Sequence, residues 1–224
     1  AGIWAEAVTD ENLLSPGSET NVKAGFVVRS DIPVTLKSIH IDYQKNDSTI
    51  NSKLTRGEMI SVERIISIPK DVKYSQPYWL EEENHKDIYI VKDQSLICQP
   101  KTDYPLYATF TTELFGTEIE FRIPVFYRKN DPVEGEVYKR IEIVPEAVVN
   151  FDKELYLLKN GEEKEISVFV KGIKENVKGR LTILCEKGWN VSPDFYDFNF
   201  NSAGQENEYK FKIKSTNNNI TSEI

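Results

Sequence analysis

Apolar residues in this chain recur at every second position, not every third or fourth. Val22, Ala24, Phe26 and Val28 alternate with Asn21, Lys23, Gly25 and Arg29, the period of a strand with one buried face. A short strand over Gly2 to Val8 comes before it, closed by the turn Ser15-Pro16-Gly17-Ser18. Val34 and Leu36 continue on even positions, but Ile39, Ile41 and Tyr43 are odd. A one-residue slip turns side chains to the other face, so a bulge is predicted near Lys37-Ser38. Residues 44 to 56 are polar and predict an exposed loop. Ile60, Val62, Ile66 and Ile68 form the next strand, up to Pro69.

Alternation disappears between Lys70 and Glu83, resumes over Asp87 to Val91, and returns as a short strand at Leu96-Ile97-Cys98. Leu106, Ala108, Phe110 and Leu114 then run in phase into Phe115-Gly116-Thr117, and Ile119, Phe121, Ile123, Val125 and Tyr127 run back. Two alternating runs joined through a Gly predict a hairpin. Pro124 cannot donate to a ladder, which puts its strand at an edge or a kink. A polar break at Asn130-Asp131-Pro132 precedes one more strand, and Pro145 opens a second series.

In that series Leu155 and Leu157 predict a strand, followed by a turn at Lys159-Asn160-Gly161-Glu162. Ile166, Val168 and Val170 follow in phase, then Leu181, Ile183 and Cys185, then Gly188-Trp189 and Val191-Ser192-Pro193. Phe195, Phe198 and Phe200 come next, and Tyr209, Phe211 and Ile213 close the core. About seven short strands in roughly 75 residues match a small immunoglobulin-like sandwich. The expected organisation is all-β: a larger sandwich over residues 1–144 with an irregular loop near 70–86, a smaller immunoglobulin-like sandwich over 145–216, and a frayed tail or linker over 217–224.

Composition sharpens this. Eleven Tyr, eleven Phe, three Trp and a single Met favour strands over helices. A net charge of −8 without a Lys/Arg cluster argues against nucleic acid or an anionic membrane surface as partner. No apolar run reaches the ~20 residues of a membrane helix, and no signal peptide is present. The opening at Ala1, without an initiator Met, suggests a piece of a longer chain. Cys98 and Cys185 fall in different units and are expected as buried free thiols, the alternative being a disulfide, which needs their Cα atoms within about 7 Å.

Chemistry is sparse. Two histidines, His40 and His85, fall short of the three or four converging ligands of a zinc site. His40 is an ordinary strand residue, and His85 sits in the charged loop Glu81-Glu82-Glu83-Asn84-His85-Lys86-Asp87. No Gly-x-Ser-x-Gly elbow or Gly-rich phosphate loop occurs, and the scattered carboxylates give no glycosidase pair. Gly17-Ser18 and Ser202-Ala203-Gly204 are turn chemistry. Catalytic, cofactor-binding and metal-ligating residues are therefore expected to be none. The candidate ligand-contacting residues are Tyr74, Tyr78 and Trp79, whose rings on an irregular loop suit the apolar faces of sugars, with Glu81 to Glu83 as hydroxyl acceptors. Against this, the same rings suit plugging the open end of the sandwich or packing on another domain. Trp4 and Trp189 are expected in cores.

Two sets of residues resemble known proteins. Gly2-Ile3-Trp4, Pro16-Gly17, Arg29 to Leu36, Tyr74-Ser75-Gln76-Pro77-Tyr78-Trp79-Leu80, Pro124 to Arg128 and Asp131 to Glu136, in this order, resemble the region downstream of the catalytic domain in large secreted PIG-L (LmbE-like) deacetylases of Gram-negative bacteria. The run from Leu157 to Ile213, with Gly188-Trp189-Asn190-Val191-Ser192-Pro193, is similar to β-sandwich modules that accompany carbohydrate-active enzymes. The resemblance implies a parent enzyme that removes N-acetyl groups from amino sugars with a metal, usually zinc, in a secreted or periplasmic setting. Its His-Pro-Asp-Asp signature is absent. His40-Ile41-Asp42 lacks the Pro and the second Asp. The expected role is a non-catalytic accessory or scaffold region whose partner is the parent's own catalytic domain, the alternative being a carbohydrate-binding module that takes a glycan on the loop aromatics.

Overall fold

A computed structural model describes residues 2–83, 88–159, 161–185 and 188–215. These residues are almost entirely strand and turn, with two single 3-10 turns and no α-helix among them. The fold is all-β, and the chain divides into two compact units, Ala1–Val144 and Pro145–Ile224.

The first unit packs two sheets. One contains β1 (Ile3–Thr9), β3 (Glu19–Val28), β6 (Met59–Ser67), β9 (Phe126–Asp131) and β10 (Gly135–Arg140), in the order β10-β9-β1-β3-β6. The other contains β4 (Val34–Ile41), β5 (Ser48–Lys53), β7 (Tyr107–Leu114) and β8 (Thr117–Pro124), in the order β5-β4-β7-β8. A short parallel pair, β2 (Leu13–Leu14) with β11 (Glu142–Ile143), lies beside them. The even-numbered face of β3 is the core: Val22, Ala24, Phe26 and Val28 are all buried. Phe26 of one sheet meets Phe110 and Phe121 of the other at ring-centroid distances of 5.4 and 5.8 Å. Such rings hold two sheets together, each contributing about 1.5–3 kcal/mol on full burial.

The parity switch in β4 is a register shift between Leu36 and Ser38, seen against both β5 and β7. It lets Leu36 and Ile39, of opposite parity, both point inward, and each is wholly buried. The β7–β8 hairpin turns through Phe115 (φ 49°) and Gly116 (φ 79°), the left-handed pair of a two-residue hairpin loop. Its return strand β8 lies at the sheet edge, where Pro124 costs no ladder bond. At Pro124 the chain changes sheets. Val125 is buried, its N–H donates to the Leu106 carbonyl (3.0 Å), and Phe126 starts β9 beside β1. The β9–β10 turn is closed by Asp131, whose Oδ1 accepts from the Val133 and Glu134 amides (2.8 and 3.1 Å).

The second unit has one sheet in the order β12-β13-β17-β15: β12 (Ala147–Phe151), β13 (Glu163–Gly172), β17 (Glu206–Ser215) and β15 (Trp189–Ser192). A two-stranded sheet of β14 (Val177–Leu181) and β16 (Tyr196–Phe200) completes it. Ile166, Val168, Val170, Leu181, Phe200, Phe211 and Ile213 form the core. Here too the chain crosses between sheets at a proline: β15 pairs with β17, Ser192-Pro193 is cis, and β16 pairs with β14.

Several expectations change. The polar stretch 44–56 contains β5, because Ser48, Ile50 and Ser52 turn toward β4 and the core edge while Thr49, Asn51 and Lys53 carry the polarity. Leu96 ends a 3-10 turn and Cys98 lies outside any strand. Leu155 and Leu157 are exposed, 72% and 75%, and not in a strand; Tyr156 and Leu158 pack on the core instead. An apolar run of both parities does not tell which parity faces in. Ile183 and Cys185 continue past the end of β14 without pairing. Trp4 is 38% exposed under the Arg29 guanidinium (5.6 Å), while Trp189 is half-buried against the core. Both cysteines are free, but Cys98 is exposed and Cys185 half-buried, so neither is a core residue.

Candidate functional site

The long connection from β6 to β7 carries the predicted aromatics. Its start is pinned like an extra strand. The Ser75 amide donates to the Ile143 carbonyl and the Ile143 amide donates to Ser75 Oγ, both at 2.8 Å. Thr102 Oγ1, near the far end, donates to the Gln76 carbonyl (2.8 Å). Pro77 then opens a 3-10 turn over Tyr78–Leu80, whose Leu80 amide returns to the Pro77 carbonyl (2.9 Å). The turn sets Tyr78 and Trp79 edge to face, centroids 4.9 Å apart and planes at 87°. Both rings are half-buried, while Tyr74 is exposed. The three residues therefore share one loop but do not form a flat two-ring platform.

Around them the charges are paired. Lys73 approaches Glu81 at 3.8 Å and Lys92 holds Glu82. Asp93 accepts from the Ser95 hydroxyl (2.7 Å) and amide (2.9 Å), which hold its carboxyl below the ordinary range. Farther along, apolar side chains face outward: Leu80, Ile88, Tyr89, Ile90 and Ile97 are exposed. His85, with Asn84, Lys86 and Asp87, lies outside the described residues.

His40 sits in β4 with Nδ1 2.7 Å from Asp47 Oδ1. Among the described residues no three His, Cys, Asp or Glu side chains group as a metal site. Burial pushes the Cys185 thiol up.

Two constellations escape the sequence pattern. Arg122 lies over the Tyr107 ring (3.6 Å) and Arg140 over Tyr104 (4.3 Å), with Tyr104 edge-on to Tyr107 and Phe126. Tyr107 is tied to Asp103 through its hydroxyl (3.2 Å) and to Asp42 through its amide (3.0 Å), and burial pushes its phenol up. The second is a cleft of about 450 Å3 between residues 43–48, in the β4–β5 turn, and Arg64, Ile65 and Ser67 of β6. Tyr43 has φ 65° in a turn closed by the Gln44 amide on the Ile41 carbonyl (3.0 Å), a conformation rare for an aromatic residue. Its hydroxyl reaches the Pro105 carbonyl (3.3 Å), and burial, reinforced by Asp42 and Asp71, raises its phenol. No sequence signal marks these sites: the first joins residues far apart in sequence, and the second depends on how close two sheet edges come.

No protein-family model matches the chain, and no curated protein is similar enough to it to count as a relative.

Proposed function

We propose that this chain is a non-catalytic accessory region of a PIG-L-like amino-sugar deacetylase, secreted or periplasmic, which packs against or positions a catalytic domain. The observation behind this reading is the β6–β7 connection. Leu80, Ile88, Tyr89, Ile90 and Ile97 stay exposed there, while the sandwich they leave has a closed core. Exposed apolar side chains on one segment suit a contact surface, and the start of this segment is anchored to β11 at Ser75. The string Ser75 to Leu80 that carries the family resemblance lies in the same connection.

The test is to read the frame upstream of Ala1 and, where it encodes a His-Pro-Asp-Asp domain, to measure co-elution of that domain with the chain. A stoichiometric complex is expected, weakened about tenfold or more by Ile88→Asp with Tyr89→Asp, since losing two buried anchors costs over 1.4 kcal/mol. No complex, or an upstream frame without a His-Pro-Asp-Asp run, refutes the proposal.

A second reading, binding of an amino-sugar glycan at Tyr74, Tyr78 and Trp79, is supported by the exposure of Tyr74 on the loop that carries the Tyr78–Trp79 pair. It predicts saturable quenching of tryptophan fluorescence by amino-sugar oligomers that disappears in Trp79→Ala. An unchanged spectrum removes it.

A further inference from the structure

The cleft between the β4–β5 turn and edge strand β6 plays no part in either reading. Its volume of about 450 Å3 falls within the range of small-molecule sites, about 300–1,000 Å3. The lining is mixed: Gln44, Asn46, Asp47, Ser48 and Ser67 are polar, and Ile65 is apolar. Tyr43, 41% exposed, stands at one wall, with its hydroxyl on the Pro105 carbonyl. Amide, hydroxyl and carboxylate residues beside a tyrosine suit a polyol, whose hydroxyls both donate and accept and whose C–H face can lie on an aromatic.

Charge narrows the class. Lys45 and Arg64 both line the cleft, against the single carboxylate of Asp47, which His40 engages at 2.7 Å. Arg64 donates through Nη1 to the Glu63 carbonyl (2.8 Å), which leaves the rest of the guanidinium fork for a planar anion. Asp42 and Asp71 act on the Tyr43 phenol, and Lys45 and Arg64 are the two cations of the lining. Gln44 Oε1 is shut off from solvent and meets no donor, while Nε2 binds the Asn46 carbonyl and Ser48 Oγ. An unmet buried acceptor is unfavourable, and a turn of that amide into the cleft would exchange the two Nε2 bonds for bonds of both amide ends to ligand hydroxyls.

We propose that this cleft binds a sugar that carries a carboxylate, a uronic-acid type ring. Arg64 and Lys45 face the carboxylate, Gln44, Asn46 and Asp47 take the hydroxyls, and Tyr43 lies against the ring. The cleft shares no lining residue with the exposed apolar positions of the packing reading, so it stands or falls separately from that reading. The experiment is titration of the 224-residue chain with D-glucuronate and, as neutral isostere, D-glucose, followed through backbone amide shifts. Saturable shifts at residues 43–48 and 64–67 are expected with glucuronate, with glucose at least about tenfold weaker. Arg64→Gln reduces glucuronate to the glucose level and Arg64→Lys restores part of it, since a point charge keeps attraction but not the fork. No saturable shift at these residues, equal affinity for the two sugars, or unchanged glucuronate binding by Arg64→Gln overturns the proposal.

Discussion

Asp131 shows how one side chain decides a local shape. Its Oδ1 accepts from the amides of Val133 and Glu134, and those bonds hold its carboxyl below the ordinary carboxylate value. A carboxyl with a lowered folded pKa stabilises the fold fully above its unfolded value, about 3.9, and loses that contribution as pH falls through the folded value. The Val133 and Glu134 amide shifts should therefore titrate together with a midpoint below about 3.9, and Asp131→Asn should abolish the titration. A midpoint at or above the ordinary value would show that the cap contributes nothing. Phe115 makes the opposite point: it is 76% exposed and holds φ 49° in the hairpin turn. Asn tolerates the left-handed region and an aromatic residue does not, so Phe115→Asn should raise stability by about 1 kcal/mol, read as a higher denaturant midpoint at constant m-value. The Asn-Asp-Pro break was legible because Asp caps turns by a local bond. The left-handed Tyr43 was not, since nothing in its neighbours in sequence calls for it.

Strands are set by alternation, but which strands pair and how near their sheets come is set by packing. β13 and β16 lie in different sheets of the smaller unit, yet a Cβ built on Gly172 would sit 3.0 Å from Phe200 Cδ2 and 3.2 Å from its Cβ. Phe200 is fully buried, so its ring has nowhere to go. Gly172→Ala should destabilise the smaller unit by about 1–3 kcal/mol, measured by chemical denaturation. An unchanged midpoint would mean that the sheets separate there without cost. Element by element, the bulge in β4 and the β7–β8 hairpin were readable, because a parity change and a Gly-containing break each leave one geometric option. Strand β5 was not. Its outward residues are all polar, and only pairing with β4 gives Ser48 and Ile50 an inside. Leu155 and Leu157 misled for the converse reason: with Tyr156 and Leu158 between and after them, apolar character marks no face.

At the largest scale, the described residues form two hydrophobic interiors with no shared member. Damage to one should stay in its own unit. Phe110, fully buried against Phe26, should cost about 3–5 kcal/mol when replaced by Ala. The loss should appear as faster amide exchange in β3, β4 and β7, with the slow amides of β13 and β17 unchanged. Acceleration in both units would refute separate cores. The candidate loop aromatics were visible in the sequence because irregular stretches lack alternation, and Tyr78 and Trp79 do meet there. Their perpendicular arrangement comes from the 3-10 turn that follows the anchor at Ser75, and sequence order alone does not give it.

The linear order of residues determined by itself that this chain builds sheets. A two-residue apolar period can bury one face only in extended backbone, and Gly, Pro, Asn and Asp mark where that backbone must turn. Tertiary structure alone decided which edges stand next to each other. The cleft at residues 43–48 and 64–67, the arginines stacked on Tyr104 and Tyr107, and the two crossings between sheets at Pro124 and Pro193 all join positions whose separation is set by folding. Periodicity carries the direction of each side chain relative to its own strand, but not the distance from that strand to any other.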